Sequence, residues 1–311
     1  MIILNFFLLA ASLFLVIKSA DKAITYSTEL AKGLKLPKYI IGFIIVAIIS
    51  ILPETFISIT SALEGIPAFG LGTIFGSNVA DLTLILAIVV LTSGRQLKVE
   101  SSIIKNSLLY IGILSLPLLL GFDGLYSRAE GVTLIIAGTL FYISLIKKRT
   151  IKDISEKKDF SPKSLTLLLL SMGTLLIGAH FSVKFGVSLA KALEVNPVLI
   201  GMFVVGLGTT LPELFFSLRA AKKNDDSLAL GDILGTVIAD ATIVIGIVAL
   251  ISPFAFNPRI VYVTGAFMLG AIILLLHFMK TGKKLSRKEA LLLLLFYLGF
   301  AISELLISKI M

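Results

Sequence analysis

Apolar stretches long enough to cross a bilayer as helices, roughly 17–25 residues each, recur along the whole chain with short polar breaks between them. The pattern predicts ten spans, at about residues 2–27, 39–63, 70–93, 103–121, 129–147, 164–190, 197–219, 227–252, 259–279 and 288–309. The polar positions that interrupt the runs matter more than those that separate them. Glu54, Asp81, Glu213, Asp232 and Asp240 all fall inside apolar runs. A carboxylate at membrane depth is costly and by default marks a functional site. Leu52-Pro53-Glu54 and Leu211-Pro212-Glu213 each put a proline beside the acid. A helix broken there frees backbone carbonyls to face a cavity.

The pattern also overlays on itself. A shift of 159 residues lays Gly42 on Gly201, Leu52-Pro53-Glu54 on Leu211-Pro212-Glu213, and Ser58 on Ser217. The same shift lays Gly72, Gly76, Ala80, Asp81 and Thr83 on Gly231, Gly235, Ala239, Asp240 and Thr242. Coincident Pro-Glu, glycine and aspartate positions at one offset point to a duplicated half. Five predicted spans, an odd number, separate each position from its counterpart, so the halves insert with opposite orientation. That is the plan of many secondary transporters, with the site near midplane between the repeats. The expected architecture is an all-α membrane protein of two inverted five-helix repeats. The first repeat is 1–147, the linker 148–163, and the second repeat 164–311.

Composition narrows the function classes. Mean hydropathy is +1.03 and only 15% of residues are charged, which leaves no room for a soluble catalytic domain. The absence of cysteine excludes disulfides and thiolate metal sites, and two histidines argue against zinc. The net charge of +9 belongs to topology rather than to nucleic acid. One set of connections holds 21 Lys and Arg, the other only Arg128, Lys191 and Arg259. The first set, with the linker, is expected in the cytoplasm and both termini outside. The start of the chain lacks a positive n-region and reads as a first helix rather than a signal peptide. The protein is expected to be a multi-pass cell-membrane protein that works as a monomer in the lipid bilayer.

Residues four apart share a helix face. Ser50, Glu54 and Ser58 form one oxygen stripe, and Thr209, Glu213 and Ser217 repeat it. Thr73, Ser77 and Asp81 form another, and Asp232, Thr236 and Asp240 repeat that. Oxygen is the only ligand type offered, which suits hard cations: sodium, calcium, magnesium or protons. Four clustered carboxylates cannot all stay charged while empty, so one cation must replace another. A structural reading, in which the acids bond neighbouring helices, fits one isolated acid better than two matched pairs. Ser58 and Ser217 are expected to bond backbone rather than ions. His180 and its counterpart Asp21 are expected to make a structural hydrogen bond, and Lys18 and Lys184 to snorkel or pair locally. Glu304 is expected to be exposed to headgroups. Asp225 and Asp226 should form a turn with Lys222 and Lys223.

The paired segments resemble the alpha repeats of the cation/calcium exchanger superfamily, in particular its sodium/calcium exchanger-like branch. Gly208-Thr209-Thr210-Leu211-Pro212-Glu213 with Gly231 through Asp240 carries the likeness most strongly. The resemblance implies alternating access, with the first and sixth helices sliding past the rest. It implies calcium ligation by Glu54 and Glu213 with Ser50, Thr209 and backbone carbonyls. Sodium positions are implied at Thr210, Ser77, Thr236, Asp81 and Asp240. The first repeat departs from the family pattern, with Ile49 and Ile51 where glycine and a hydroxyl are usual. Asp81 and Asp232 stand where relatives often carry asparagine or a small residue, and Asp232 adds an acid near the mouth. The expected function is exchange of a divalent cation, calcium first, for sodium, with no cofactor. The alternatives are a divalent cation/proton exchanger and a sodium-coupled magnesium exchanger. An enzyme, an intramembrane aspartyl protease, is the remote alternative, resting on Leu230-Gly231-Asp232.

Overall fold

The computed structural model describes residues 2–33, 51–147, 162–224 and 226–310. Ile49, Ser50, Asp225, most of the linker and the first half of the second predicted span lie outside the described residues. The chain is mostly helical. Among the described residues, seven helices are long and apolar enough to cross a membrane.

In chain order, α1 is Ile2–Gly33 and α2 is Leu52–Leu63. α3 runs as Pro67–Ala80, Asp81–Ile85 and Leu86–Ser93. After β1 (Leu97–Lys98), the short α4 (Ser101–Lys105) leads into α5 (Ser107–Leu120). β2 (Leu125–Tyr126) and α6 (Arg128–Lys147) follow. α7 is Pro162–Ala192, and α8 spans Pro197–Lys222 with a break at Thr210. α9 runs as Asp226–Ala239, Asp240–Val244 and Ile245–Ile251. β3 (Phe254–Ala255), α10 (Ile260–Lys280), β4 (Lys284–Leu285) and α11 (Arg287–Ile310) complete the chain. The two-residue strands are the one departure from an all-helical expectation. β1 pairs antiparallel with β4, and β2 with β3. α5 and α10 each run between the two ladders, so the ladders mark opposite ends of the bundle.

Local chemistry sets the boundaries. Pro67 and Pro197 open their helices in the first turn, where a missing amide costs nothing. Asn196 caps α8 by accepting from the Val198 amide at 2.9 Å. Ser127 with Glu130 and Ser286 with Glu289 form capping boxes at α6 and α11. In each, the glutamate accepts from the serine amide at 2.7 Å.

α1 and α7 lie against each other along their length. Ser182 donates to Ser12, Gly178 packs on Val16, and Ser164 donates to Glu29. One position rises as the other falls, so the pair is antiparallel. Leu9, Leu13, Val16, Ala179 and Val183 give this pair an apolar core of its own, touching the rest through Ile57, Phe69, Ile200 and Val205. A second, larger core unites α3, α5, α9, α10 and α11. The close approach of α3 and α8 requires glycine: a Cβ on Gly76 would sit 2.5 Å from the Met202 carbonyl, and one on Gly201 2.5 Å from that of Phe69. Large apolar side chains face outward, Leu108 at 84% and Leu119 at 70% exposure. A surface of this kind is solvated by lipid.

Candidate ion-binding site

Four elements bring the acids together. Glu54 sits in the first turn of α2, and Glu213 in the first turn of α8 after its break. Pro53 and Pro212 start both segments. The residues at the two breaks, Ile51 and Thr210, share one backbone conformation, with φ −79° and −78° and ψ −3° and −4°. Asp81 and Asp240 each head a π-helical turn, in α3 and α9. Such turns widen the helix and are frequent at functional sites. α2 packs on α3, α8 on α3, and the π turn of α9 on both α2 and α3.

Burial is nearly complete: Glu54, Glu213 and Asp81 are 1% exposed and Asp240 is wholly buried. Glu54 Oε2 and both carboxylate oxygens of Glu213, Asp81 and Asp240 have no hydrogen-bond partner. A buried, unpaired polar atom carries its full desolvation cost, more so when charged. Glu54, Asp81, Glu213 and Asp240 are close enough to act on one another electrostatically, and the Thr209 hydroxyl lies within hydrogen-bonding reach of Glu54. Among the described residues, no three acidic or imidazole side chains converge at metal-ligating range. The described carboxylates are thus offered one or two at a time, with neutral oxygens nearby.

Those neutral oxygens are oriented suitably. Thr209 donates to the Gly206 carbonyl, Thr210 to Leu207 and Ser77 to Ile74, at 2.9–3.0 Å. A hydroxyl that spends its hydrogen on its own helix keeps acceptor lone pairs for a cation. Thr236 is buried on the same α9 face as Asp240. Ser50 lies outside the described residues. Ile51, the counterpart of Thr210, is buried in the large apolar core and offers no oxygen. Ser58 and Ser217 bond the Gly70 and Ala229 carbonyls at 3.4 and 3.3 Å, in line with a backbone-bonding role. Asp232 stands two helical turns from Asp240. It is 9% exposed, its Oδ2 is unpartnered, and it is near enough to act on Asp81 and Glu213.

Several expectations need correction. Glu304 is not exposed to headgroups. It is buried at 3%, pairs with Arg259 at 3.1 Å and accepts a short hydrogen bond from Thr264. Asp226 is more than a turn residue. It takes both Arg95 nitrogens at 2.6 and 2.7 Å and the Lys98 amide at 2.8 Å, tying α9 to β1. Burial alone would raise the Asp226 carboxyl, but these donors outweigh it and hold it below the ordinary carboxylate range. His180 pairs with Glu64 at 2.7 Å, while Asp21 is exposed. Lys18 and Lys184 sit over Phe14 and Phe181, as local pairing anticipates. Nothing in local sequence links Asp226 to Arg95 or Glu304 to Arg259, because the partners are far apart along the chain.

A family model for the sodium/calcium exchanger protein matches residues 4–146 and again residues 163–305. The chain belongs to the sodium/calcium exchanger family. As a whole-length member it is 25% identical to sodium/calcium exchanger MaX1 of Methanosarcina acetivorans, over 97% of this chain and 99% of that one. It is 29% identical to a putative antiporter, CaxA, of Alkalimonas amylolytica, over 96% and 98%. The sodium-calcium exchanger NCX_Mj, soaked with 2.5 mM Na+ and 10 mM Sr2+, superposes with a TM-score of 0.69 at 28% identity, over 97% of this chain and 99% of that one. With seven membrane-length helices among its described residues and exchangers among its relatives, this exchanger-family chain is an integral, multi-pass membrane protein. The two family matches begin at the same offset at which the sequence overlays on itself.

Proposed function

We propose that the protein is a secondary antiporter of the cell membrane that exchanges calcium for sodium by alternating access at a midplane site. The single observation that carries this is the group of buried carboxylates, from both family matches, whose oxygens have no partner in the protein. Glu54 and Glu213 supply two negative charges, enough to balance one divalent cation. Thr209 and carbonyls freed at the two breaks complete its shell. Thr210, Ser77, Thr236, Asp81 and Asp240 form the sodium positions, with Ile51 leaving the first repeat one hydroxyl short. The site therefore returns loaded with one ion or the other, which is exchange rather than leak.

Two inverted five-helix halves joined by a cytoplasmic linker, with both termini outside, make the site reachable from either face. Three features support inversion. α1 and α7, counterparts by offset, run antiparallel. β1 pairs with β4, while β2, the counterpart of β4, pairs at the opposite end with β3, which lies two residues before the counterpart of β1. α8 runs parallel to α3, so it opposes α2, its own counterpart. The α1–α7 pair, with its separate core, is the body that slides. NCX_Mj is described as undergoing extracellular ion exchange and binding-site occlusion, which agrees with this reading. The unit of function is the monomer.

The test is reconstitution into proteoliposomes with radioactive calcium outside. An outward sodium gradient should drive uptake, and dissipating that gradient should stop it. Uptake that proceeds without a counter-gradient means a channel, and uptake driven only by protons means a different coupling ion.

A further inference from the structure

Asp232 is a buried acid that the calcium site does not need. It lies six residues into α9, about 9 Å from Asp226 and about 12 Å from Asp240 along the helix axis. Its face is that of Thr236 and Asp240. It thus stands between the central carboxylates and the end of the bundle marked by the Arg95–Asp226 pair. Its Oδ2 is buried and unpartnered, and its charge reaches Asp81 and Glu213. A carboxylate oxygen buried without a cation or donor is costly unless something visits it.

The other half has no equivalent. The counterpart of Asp232 is Thr73 on α3, wholly buried, its hydroxyl donated to the Phe69 carbonyl at 3.0 Å. Gly201 and Gly206 of α8 press against it: a Cβ on Gly201 would lie 3.1 Å from the Thr73 hydroxyl, and one on Gly206 3.0 Å from the Thr73 carbonyl. A cation at that level would meet packed helix and a neutral group. The two approaches to the centre are therefore chemically unlike.

We infer that Asp232 is a separate capture position for a divalent cation, serving traffic only at the face that carries Arg95 and Asp226. The inference rests on the exchange reading and adds a sidedness to it. A cation arriving from that face meets one carboxylate before it reaches the paired glutamates. Arrival from the opposite face involves no such step.

The experiment uses right-side-out and inside-out membrane vesicles containing the full chain, with 45Ca2+ as probe and sodium as counter-ion. Asp232→Asn removes the charge and keeps the shape. It should raise the half-saturating calcium concentration at the Arg95 face about fivefold or more, the scale of one partly screened charge. The value at the opposite face should stay within about a factor of two by the same charge argument. Asp232→Thr, which copies the residue in the other half, should behave alike, and Asp232→Glu should restore the parent value. Equal increases at both faces would assign Asp232 to the central site and overturn the inference. No change at either face in both neutral variants would also overturn it. A parent that moves no calcium against sodium sinks the exchange reading instead, so the two failures are told apart.

Discussion

The two halves of the molecule agree in their short-range hydrogen bonds and disagree in their ion pairs. Ser58 and Ser217 reach carbonyls twelve residues on, the capping boxes at Ser127 and Ser286 match, and Asp81 and Asp240 head matching π turns. Among the described residues, none of the inter-element ion pairs recurs. Arg95 and Asp226 have Phe254 and Pro67 as counterparts, and Arg259 and Glu304 have Glu100 and Leu145. Devices that shape the site act within a few residues, so a duplicated half carries them wherever it is inserted. The ion pairs sit at the ends of the bundle, where the two halves meet different surroundings.

The strongest test of that equivalence is at the glutamates. Glu54→Gln and Glu213→Gln should each cut sodium-driven calcium uptake roughly 100-fold or more, the effect of losing a few kcal/mol of charge pairing. Both variants should still fold, since each removes a buried charge that has unpaired oxygens. A large loss in one and normal flux in the other would break the symmetry of the site. The ion pairs test the opposite side of the comparison. Arg259→Gln leaves the Glu304 charge buried and should destabilise the protein by about 3 kcal/mol. Arg95→Gln should cost nearer about 1 kcal/mol, because Arg95 is partly exposed and Asp226 keeps the Lys98 amide. Thermal unfolding in detergent at one pH ranks the two. The Asp226 carboxyl is depressed in the fold, so its contribution is complete at neutral pH and fades as pH falls through its lowered value, below about 4. Parent and Asp226→Asn should therefore converge in acid.

A smaller effect separates two equivalent helix crossings. α6 meets α9 through Gly131 and Gly246, where a Cβ on Gly131 would lie 2.8 Å from the Gly246 carbonyl. The matching crossing of α11 and α3 carries Ala290 and Ala87 at those positions, both buried. Gly131→Ala should cost about 1–3 kcal/mol through backbone overpacking. Ala290→Gly should cost about 1 kcal/mol, mainly through helix propensity. The measurement is again the unfolding midpoint, and a reversed order would mean that the two crossings are not separated by approach distance.

The helical, membrane-spanning character was legible because bilayer length is a one-dimensional signal, and so was the fixed internal offset that the two family matches share. The described helices begin and end within a few residues of the predicted spans, except that α1 continues to Gly33, past its predicted end near residue 27. The acids were legible for the same reason: Glu54, Asp81, Glu213 and Asp240 are conspicuous in apolar runs, and the fold buries all four together. What the sequence hid is pairing across distance. Glu304 reads as a terminal acid until Arg259 and Thr264 are seen beside it. Asp226 reads as one of two turn aspartates until Arg95 closes on it. The strand ladders were equally invisible, because two residues carry no alternation to read.

The smallest expected difference is between the two capping boxes, and there the expectation is equality. Ser127→Ala and Ser286→Ala each remove a hydroxyl that donates to a glutamate and receives that glutamate's backbone amide. Each should cost about 1 kcal/mol. Ser127 begins α6 at the ladder formed by β2 and β3, while Ser286 begins α11 at the opposite ladder. The caps therefore sit at opposite ends of the bundle. If local bonding alone sets their strength, the two losses should match, and the double variant should lose their sum, since the sites share no partner. A cap worth much more at one face would mean that membrane side reaches even into the devices the halves hold in common.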